Sequence, residues 1–460
     1  MDTTLTVPIL LGLIALIASG LFRQLFPFLV VLVLGMEYFS PKAAQGIYTI
    51  PRVGFLALVL TQILADRLRL PSLRRGLFVP LLVLSAYSWL SCLWSINPTE
   101  AEVRSMTLLF LLLEFVVIRG FIRSRHDVFL FWQALVLYAV VSTIVLQYQL
   151  ATGSRVYESA IEEFGTRAGG LGVNPNEGAY YLSLGLLIVC SIGFLPRIAP
   201  ALLQNIWARL LIGAWICLGI LGTGSRTGVA ALLVGGLFLL RPAVSTRWVS
   251  KPFLRQILGF AVVLGVLFLF LPALFWQLNA RVRASGEDQL NGRLEIWSAL
   301  SGHILAKPFV GYGLSSSKVV LSGSHLRSNA LVAHNTVLTI LTEGGIVALL
   351  LFCWGVLRAL GILHRLRQHA AKEWRICGVI LTALTVLAAV TSLAGDMQFN
   401  KLLWVGLALL DACGWMALTS PFRRQGNQPP QHPSNAAVDE LPFGARTMAL
   451  ATLPASRQNV

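Results

Sequence analysis

The chain of 460 residues is 56% hydrophobic and only 12% charged, whereas about a quarter of a soluble domain is charged. This composition excludes an ordinary soluble enzyme and indicates a polytopic membrane domain, because a spanning helix needs roughly 20 apolar residues. The net charge of +16 does not indicate a nucleic-acid partner, because the basic residues form short clusters between apolar runs, as the positive-inside rule predicts.

The sequence predicts an all-α membrane protein with about 12 transmembrane helices. The first apolar run is either one tilted helix or two short ones, so a thirteenth span is also compatible with the sequence. We expect one transmembrane domain over 1–420 and a disordered cytoplasmic tail over 421–460, which is rich in Pro, Gln, Ala and Ser. The apolar runs cover 5–39, 52–65, 77–95, 105–119, 128–150, 178–195, 206–222, 227–240, 257–275, 335–358, 375–395 and 401–418.

Five clusters of basic residues predict the orientation of the chain. They are Arg67, Arg69, Arg74 and Arg75; Arg119, Arg123 and Arg125; Arg241, Arg247, Lys251 and Arg255; Arg358, Arg365, Arg367, Lys372 and Arg375; and Arg423 and Arg424. Alternation places all these clusters on one side of the membrane, which we assign to the cytoplasm. The opposite side would be the periplasm, so the expected location is a bacterial inner membrane, with lipid as a partner. The loops expected on the periplasmic side are 40–51, 96–104, 151–177, 223–226, 276–333 and 396–400.

The 276–333 loop is the longest of these and is net basic on the side where arginine is disfavoured. A loop of this length can be translocated whatever its charge. The alternative interpretation is an anionic ligand at the outer surface of the membrane, with Arg281 and Arg283 among the candidate substrate-binding residues.

Within this periplasmic loop, the segment NGRLEIWSALSGHILAKP predicts a short amphipathic helix that lies along the membrane surface. Arg293 opens the helix, Pro308 ends it, and the glycines of GYG then allow a tight turn. The apolar residues expected to share one face of the helix are Leu294, Trp297, Leu300 and Ile304.

The segment LGTGSRTGVA places Arg226 in a tight hairpin between two apolar runs. One interpretation is an arginine that extends its charge to the membrane surface. The other is a fixed guanidinium that binds phosphate oxygens in a bidentate manner. Arg293 is by itself a solvated charge, but together with Arg226 it could clamp a diphosphate.

His334 lies where the next apolar run begins, beside Asn335. A single histidine next to an apolar face is usually structural, but its position after a basic loop favours a catalytic role. With an ordinary pKa near 6.5, it could accept a proton from a hydroxyl near neutral pH. Asn335, Arg167 and Asn176 are candidate contacts to the substrate, although NPNEG also reads as a turn that starts a helix.

Several kinds of chemistry lack their sequence signatures. The chain has no Walker loop and no D-x-D motif. The histidines and carboxylates of the outer loops do not cluster as metal ligands. We therefore expect an activity that needs no metal and no other cofactor.

The pieces NPNEGA, GSRTG, NGRLEIWSA with KPFVGYG, and AHNTVLTILTEGG occur in that order over roughly residues 160–350. In these pieces the chain resembles the O-antigen ligase and O-antigen polymerase superfamily. The resemblance implies a polytopic, metal-independent glycosyltransferase that uses an undecaprenyl-diphosphate-linked glycan on the periplasmic side. By the same resemblance, Arg226, Arg293 and His334 would be the essential residues.

The expected reaction is transfer of O-antigen polysaccharide to a hydroxyl of lipid A–core, in lipopolysaccharide biosynthesis. The arginines would bind the diphosphate, His334 would act as general base, and direct displacement would invert the anomeric carbon. The alternatives are an O-antigen polymerase, a protein O-oligosaccharyltransferase or, in a different class, a transporter of polysaccharide or lipid.

Overall fold

The structure, a computed structural model, describes residues 23–35, 50–68, 76–153, 167–172, 174–192, 201–245, 259, 293–322 and 333–419. Regular structure in these residues consists of α-helices and two short 3-10 helices, Arg23–Leu25 and Ser91–Trp94. The α-helices are α1 (Phe26–Gly35), α2 (Ile50–Leu64), α3 (Phe78–Leu90), α4 (Pro98–Phe121), α5 (Arg125–Thr152), α6 (Pro175–Ile192), α7 (Ala201–Gln204), α8 (Ile206–Thr223), α9 (Arg226–Ser245), α10 (Arg293–Ala306), α11 (Ser317–Ser322), α12 (Thr336–Arg367), α13 (Lys372–Ser392) and α14 (Lys401–Thr419).

Five of the described helices, α5, α8, α12, α13 and α14, are long and apolar enough to cross a membrane. The all-helical prediction is confirmed for the described residues, and these helices support a membrane protein. The expectation of about 12 spans stays a prediction. Shorter apolar helices lie at Arg23–Gly35, Arg52–Leu64, Phe78–Trp94 and Arg226–Leu239.

Three predicted features fall outside the described residues. In the apolar run 257–275 only Gly259 is described, and the tail 421–460 is not described at all. The same holds for Arg281 and Arg283 in the first half of the long loop. The predictions made for these segments therefore stay predictions.

Segments predicted on the outer side contact one another at one end of the described helices, which we call the loop end. It comprises residues 95–104, 167–172, 174–176, 223–226, 293–322, 333–336 and 395–400. The hydrogen bonds that join these segments run from Ser95 Oγ to Leu314 O (2.7 Å), from Arg167 Nε to Thr223 O (3.1 Å), from Thr336 Oγ1 to Gly395 O (2.9 Å) and from Asn400 Nδ2 to Glu177 Oε1 (2.8 Å).

Ion pairs join the segments that carry the basic clusters, in what we call the arginine end, comprising residues 23, 67, 77, 119–127, 373 and 411. Arg123 donates a hydrogen bond to the backbone carbonyl of Arg67, which links two of the predicted clusters. The ion pairs at this end are Arg23–Asp127 (2.9 Å), Arg119–Asp411 (3.0 Å) and Arg125–Glu373 (3.8 Å).

Helix α12 is broken at Gly345, where φ is 63° and ψ is −161°. The break frees backbone groups that an intact helix would pair, and such groups need partners when buried. The Ile346 N–H donates to Pro308 O (2.8 Å), and Thr342 O accepts from the Tyr312 N–H (2.9 Å). The loop that follows α10 is therefore hydrogen-bonded into the gap in α12.

Glycine is required on both sides of this contact. A Cβ on Gly345 would lie 2.3 Å from Phe309 O, and a Cβ on Gly311 would lie 2.6 Å from Glu343 O. Gly311 also has a positive φ of 64°, which glycine adopts without steric cost. The sequence pieces KPFVGYG and TEGG, which are distant in the chain, thus interlock in the structure.

The predicted helix in the long loop is present as α10, and the structure shows which of its residues pack against the protein. Leu294 is 42% exposed, whereas Ile296 is 3% exposed and Leu300 is fully buried. Val320 and Leu321 of α11, together with Ala333, cover this face. Ile296 replaces Leu294 because α11 packs on that side of the helix, which the periodicity of α10 alone does not indicate.

Candidate functional site

Arg226 is the first residue of α9, and its hairpin is held by local hydrogen bonds. Gly224 ends α8 in the left-handed conformation, with φ 58°, and the Ser225 hydroxyl accepts from the Gly228 N–H (3.1 Å). Ser225 therefore caps α9. The first residues of a long helix favour negative charge, because unpaired N–H groups point outwards there. The sequence prediction of a tight hairpin at this position is confirmed.

Arg167 and Asn176 brace this hairpin from the side. The Arg167 guanidinium donates from Nη2 to Asn176 Oδ1 (3.3 Å), besides its bond to the Thr223 carbonyl. Asn176 Oδ1 also accepts from the Ser225 hydroxyl (2.8 Å). These contacts hold the hairpin that presents Arg226. Direct contact of Arg167 or Asn176 with a substrate stays a prediction.

The predicted start of α6 in the NPNEG segment is present. The side-chain oxygen of Asn174 accepts from the backbone N–H groups of Asn176 and Glu177, each at 3.0 Å. Pro175 occupies the first helical position, where its missing N–H costs nothing. This cap fixes the direction in which Asn176 faces the hairpin.

Arg293 is the first residue of α10, and that helix is tied to the segment that carries His334. One turn after Arg293, the Trp297 indole N–H donates to the carbonyl of Ala333 (2.9 Å). Leu300 packs in the same small core as Ala333. The position of Arg293 is thereby linked to the backbone that immediately precedes His334.

His334 adopts a left-handed backbone conformation with φ 47°. For a residue other than glycine this conformation costs about 1–2 kcal/mol, so the surroundings must hold it. Before His334 in the chain, the Trp297 indole N–H binds the Ala333 carbonyl. After His334, Asn335 caps α12, because its side-chain oxygen accepts from Val337 N (3.0 Å) and Leu338 N (3.2 Å). The side-chain oxygen of Asn335 therefore serves the cap, and its contact with a substrate stays a prediction.

Arg293 lies within range of the charges of both Arg226 and His334. Burial and the positive charge of Arg226 both lower the pKa of the Arg293 guanidinium, which nonetheless stays protonated. Burial and the charge of Arg293 lower the pKa of His334 below its ordinary value. Arg293 thus interacts electrostatically with two residues from distant parts of the chain, and a shared catalytic role of the three stays a prediction.

A second group of charged residues lies at the loop end. Burial raises the pKa of Asp396 to about 6, and the positive charges of Arg104 and Lys318 oppose this rise. Asp396 is nevertheless exposed to solvent. We call Arg104, Lys318 and Asp396 the Asp396 cluster.

Sequence reasoning missed the Asp396 cluster as a site. Asp396 was assigned only to a short outer loop, and the two cations were not singled out. The one signal available was that 96–104, 276–333 and 396–400 were all predicted on the same side. Among the described residues, no group of three or more His, Cys, Asp or Glu side chains is placed to hold a metal ion.

The arrangement suits an anionic ligand that reacts next to a weak base. Two guanidiniums that repel each other in the free protein gain most when they share a negatively charged partner. The imidazole beside them is neutral near pH 7, because its pKa is lowered, and can therefore accept a proton.

Comparison with known proteins agrees with this chemistry. Residues 210–353, which contain Arg226, Arg293 and His334, match the family model described as O-Antigen ligase. A Rickettsia conorii protein named as a candidate polysaccharide ligase is 29% identical over 200 residues, covering 35% of this chain and 47% of that protein. The chain thus spans about half the length of this curated relative.

The fold and the site define a helical membrane protein that gathers arginines and a histidine at one end. Within it, residues 210–353 are similar to the O-antigen ligase family. The resemblance inferred from the sequence is therefore confirmed over these residues.

Proposed function

We propose that the protein transfers a polysaccharide from undecaprenyl diphosphate to a hydroxyl of lipid A–core, at the periplasmic face of the inner membrane. The observation that carries this proposal is the electrostatic interaction of Arg293 with both Arg226 and His334, inside the residues that match the O-antigen ligase family. Two cations suit the diphosphate of the donor, and one imidazole suits the hydroxyl of the acceptor.

The arginines would act on the leaving group. As the bond between the anomeric carbon and the diphosphate oxygen breaks, the electron pair and the negative charge move onto the diphosphate. Fixed guanidiniums stabilise that charge without having to reorganise. Arg226 and Arg293 therefore lower the barrier most if they bind the diphosphate more tightly in the transition state than in the ground state.

His334 would take the proton of the attacking hydroxyl. The acceptor oxygen forms a bond to the anomeric carbon from the face opposite the diphosphate, so the configuration inverts. The imidazole must be neutral to accept the proton, and burial together with Arg293 favours the neutral form. After transfer, the protonated imidazole returns its proton to water or to the released diphosphate.

Binding of the donor would also make His334 a stronger base. In the free protein the positive charge of Arg293 lowers the His334 pKa. A bound diphosphate adds negative charge close to that arginine and offsets its effect. The basicity of His334 therefore rises when the donor is in place, which couples activation of the acceptor to the presence of the donor.

The direct test is a transfer assay with the purified protein in detergent. With a lipid-diphosphate-linked glycan and lipid A–core, we expect a joined product, detected by gel mobility and mass spectrometry. The Arg293→Gln variant should lose most of this activity, about 100-fold or more. Arg358→Gln is the matched control, because Arg358 is exposed on α12 and should leave transfer unchanged.

The alternatives predict different outcomes in the same assay. A polymerase would lengthen the glycan on its carrier lipid, and a protein ligase would modify a protein acceptor. A transporter would form no product, but in liposomes it would move the donor to the other leaflet. Absence of transfer to lipid A–core in the presence of any of these activities would overturn the proposed function.

A further inference from the structure

The first turn of α6 binds two segments of the loop end through two adjacent residues. Asn176 Oδ1 accepts from the Ser225 hydroxyl (2.8 Å), which lies in the hairpin between α8 and α9. Glu177 Oε1 accepts from Asn400 Nδ2 (2.8 Å), at the end of the turn formed by residues 395–400. The hairpin and this turn are therefore attached to the same end of the same helix.

Glu177, Tyr181 and Asn400 form a hydrogen-bonded triangle, which we call the α6 bridge. The Tyr181 hydroxyl donates to Glu177 Oε1 (2.6 Å) and accepts from Asn400 Nδ2 (2.9 Å). Tyr181 and Asn400 are both buried, so water does not replace these bonds when they break, and polar groups are left unsatisfied. The α6 bridge therefore holds the 395–400 turn against the start of α6.

The Asn400 amide is also fixed by α14, which begins at the next residue. Asn400 Oδ1 accepts from the Leu403 N–H (3.0 Å) in the first turn of that helix. Because only the oxygen of a side-chain amide accepts hydrogen bonds, the NH₂ group must face Glu177. A single side chain therefore caps α14 and joins the turn to α6.

The 395–400 turn is bound in addition to the first residue of α12. The Thr336 hydroxyl donates to Gly395 O (2.9 Å) and accepts from the Met397 N–H (3.0 Å). Thr336 is buried and follows His334 by two residues. Hydrogen bonds thus connect the hairpin before α9, through the start of α6 and the 395–400 turn, to the segment that carries His334.

Each arginine of the predicted centre is thereby linked to His334 by a route of its own. Arg293 is linked through α10, where the Trp297 indole N–H binds the carbonyl that immediately precedes His334. Arg226 is linked through the α6 bridge and Thr336, which follows His334. Such links matter for catalysis, because a misplacement of reacting groups by about 1 Å can lower a rate about 100-fold.

We propose that Glu177 and Asn400 are positioning residues, which set the spacing between the hairpin that carries Arg226 and the segment that carries His334. This inference rests on the proposed function above, in which a diphosphate bound by Arg226 and a hydroxyl activated by His334 must meet at one carbon atom. In this role neither Glu177 nor Asn400 touches the substrate. Their loss should lower the kcat of transfer and leave the affinity for the donor unchanged.

The test reverses the direction of the hydrogen bond between these two residues. Asn400→Asp keeps the oxygen that caps α14, but it removes the NH₂ group and places a second carboxylate against Glu177. The kcat should fall about 10–100-fold, with an unchanged Kd for undecaprenyl diphosphate. Adding Glu177→Gln supplies an amide that donates to the new carboxylate, so the double variant should recover most of the kcat.

Two single variants separate positioning from other roles. Glu177→Gln alone keeps an acceptor oxygen for Asn400 and should retain nearly full activity, whereas an inactive Glu177→Gln would assign the charge to the chemistry and overturn the proposal. Asp411→Asn removes the counter-charge of buried Arg119 and should lower stability without changing kcat. An unchanged kcat in Asn400→Asp, or a double variant no more active than Asn400→Asp, would also overturn the positioning role.

Hydrogen exchange in nanodiscs tests the α6 bridge without any reaction. Asn400→Asp should raise the exchange of the backbone amides of 395–400 and 335–339 about tenfold or more, and adding Glu177→Gln should restore it. Unchanged exchange would overturn the α6 bridge. If exchange follows this pattern but the wild-type protein transfers no glycan to lipid A–core, the α6 bridge stands and only the proposed function is rejected.

Discussion

The two ends of the described helices use arginine in different ways. At the arginine end, Arg119 lies 3.0 Å from Asp411, and both side chains are almost fully buried. At the loop end, the neighbouring charge that lowers the pKa of Arg293 is another arginine, Arg226. The arginine end joins its cations to carboxylates in ion pairs, whereas at the loop end Arg226 and Arg293 lie within range of each other's charge.

This difference separates structural charge from functional charge. A buried arginine next to a carboxylate is compensated within the protein, so removing either partner should affect folding. Two arginines that repel each other raise the free energy of the empty protein, and a bound anion removes that penalty. Variants at the arginine end should therefore change stability, and variants at the loop end should change activity.

The largest effect is expected at His334. His334→Asn removes the base but keeps a residue type that tolerates the positive φ, so the protein should fold. The kcat of transfer should fall about 10²–10⁴-fold, the usual contribution of a general base, with donor affinity unchanged. His364→Asn, an exposed position near the end of α12, is the control. Full activity of His334→Asn would exclude the base role.

The next effect is expected at the arginine end and concerns stability. Asp411→Asn leaves Arg119 buried without its counter-charge, which should cost about 3–5 kcal/mol and lower the melting temperature in detergent. The kcat per folded molecule should stay the same. Glu373→Gln breaks the exposed 3.8 Å pair with Arg125 and should cost less than about 1 kcal/mol. A similar loss for both variants would contradict the distinction between buried and exposed pairs.

A smaller loss of stability is expected where the loop enters α12. Gly345→Ala places a Cβ 2.3 Å from Phe309 O, in a backbone conformation that essentially only glycine adopts. We expect a cost of about 2 kcal/mol or more, measured by thermal unfolding. Gly361→Ala in the same helix meets no atom within 4 Å and should be neutral or stabilising. Equal stability of the two variants would show that the loop does not constrain the break.

The link between α10 and His334 predicts a moderate effect on catalysis. Trp297→Phe keeps the aromatic ring but removes the N–H that binds Ala333 O. We expect kcat to fall about tenfold, equivalent to one hydrogen bond of about 1.4 kcal/mol, with little change in the donor KM. Trp207→Phe, where the ring is 71% exposed, is the control. An unchanged kcat in Trp297→Phe would show that the hydrogen bond does not position His334.

The smallest expected effect is a shift of the pH profile. Transfer should fall at acid pH as His334 becomes protonated, with an apparent pKa below 6.5 in kcat/KM, because burial and Arg293 lower it. Arg293→Gln removes one of these causes, so the acid limb of its residual activity should move to higher pH. A shift to lower pH, or none, would contradict the interaction between Arg293 and His334.

Local backbone chemistry made part of the site predictable from the sequence. The hairpin before Arg226 and the helix start at Asn174 follow from glycine and asparagine preferences that act over a few residues. The convergence of Arg226, Arg293 and His334 does not follow from spacing, because long stretches of chain separate them. That expectation came from the family resemblance.

Contacts between distant segments were not predictable from periodicity. The burial of Ile296 on α10 could not be predicted, because α11, which covers Ile296, contributes no signal to the periodicity of α10 itself. The same limit applies to the loop inserted at Gly345 and to the approach of Arg104 and Lys318 to Asp396. Each of these depends on which segments meet in three dimensions.

Donor binding tests the paired arginines most directly. The affinity of undecaprenyl diphosphate without glycan is measured for wild-type, Arg293→Gln and Arg358→Gln proteins in nanodiscs. If Arg226 and Arg293 bind the diphosphate, Arg293→Gln should weaken binding at least about tenfold, and Arg358→Gln should match the wild type. Equal affinity of all three proteins would contradict a diphosphate site at the loop end.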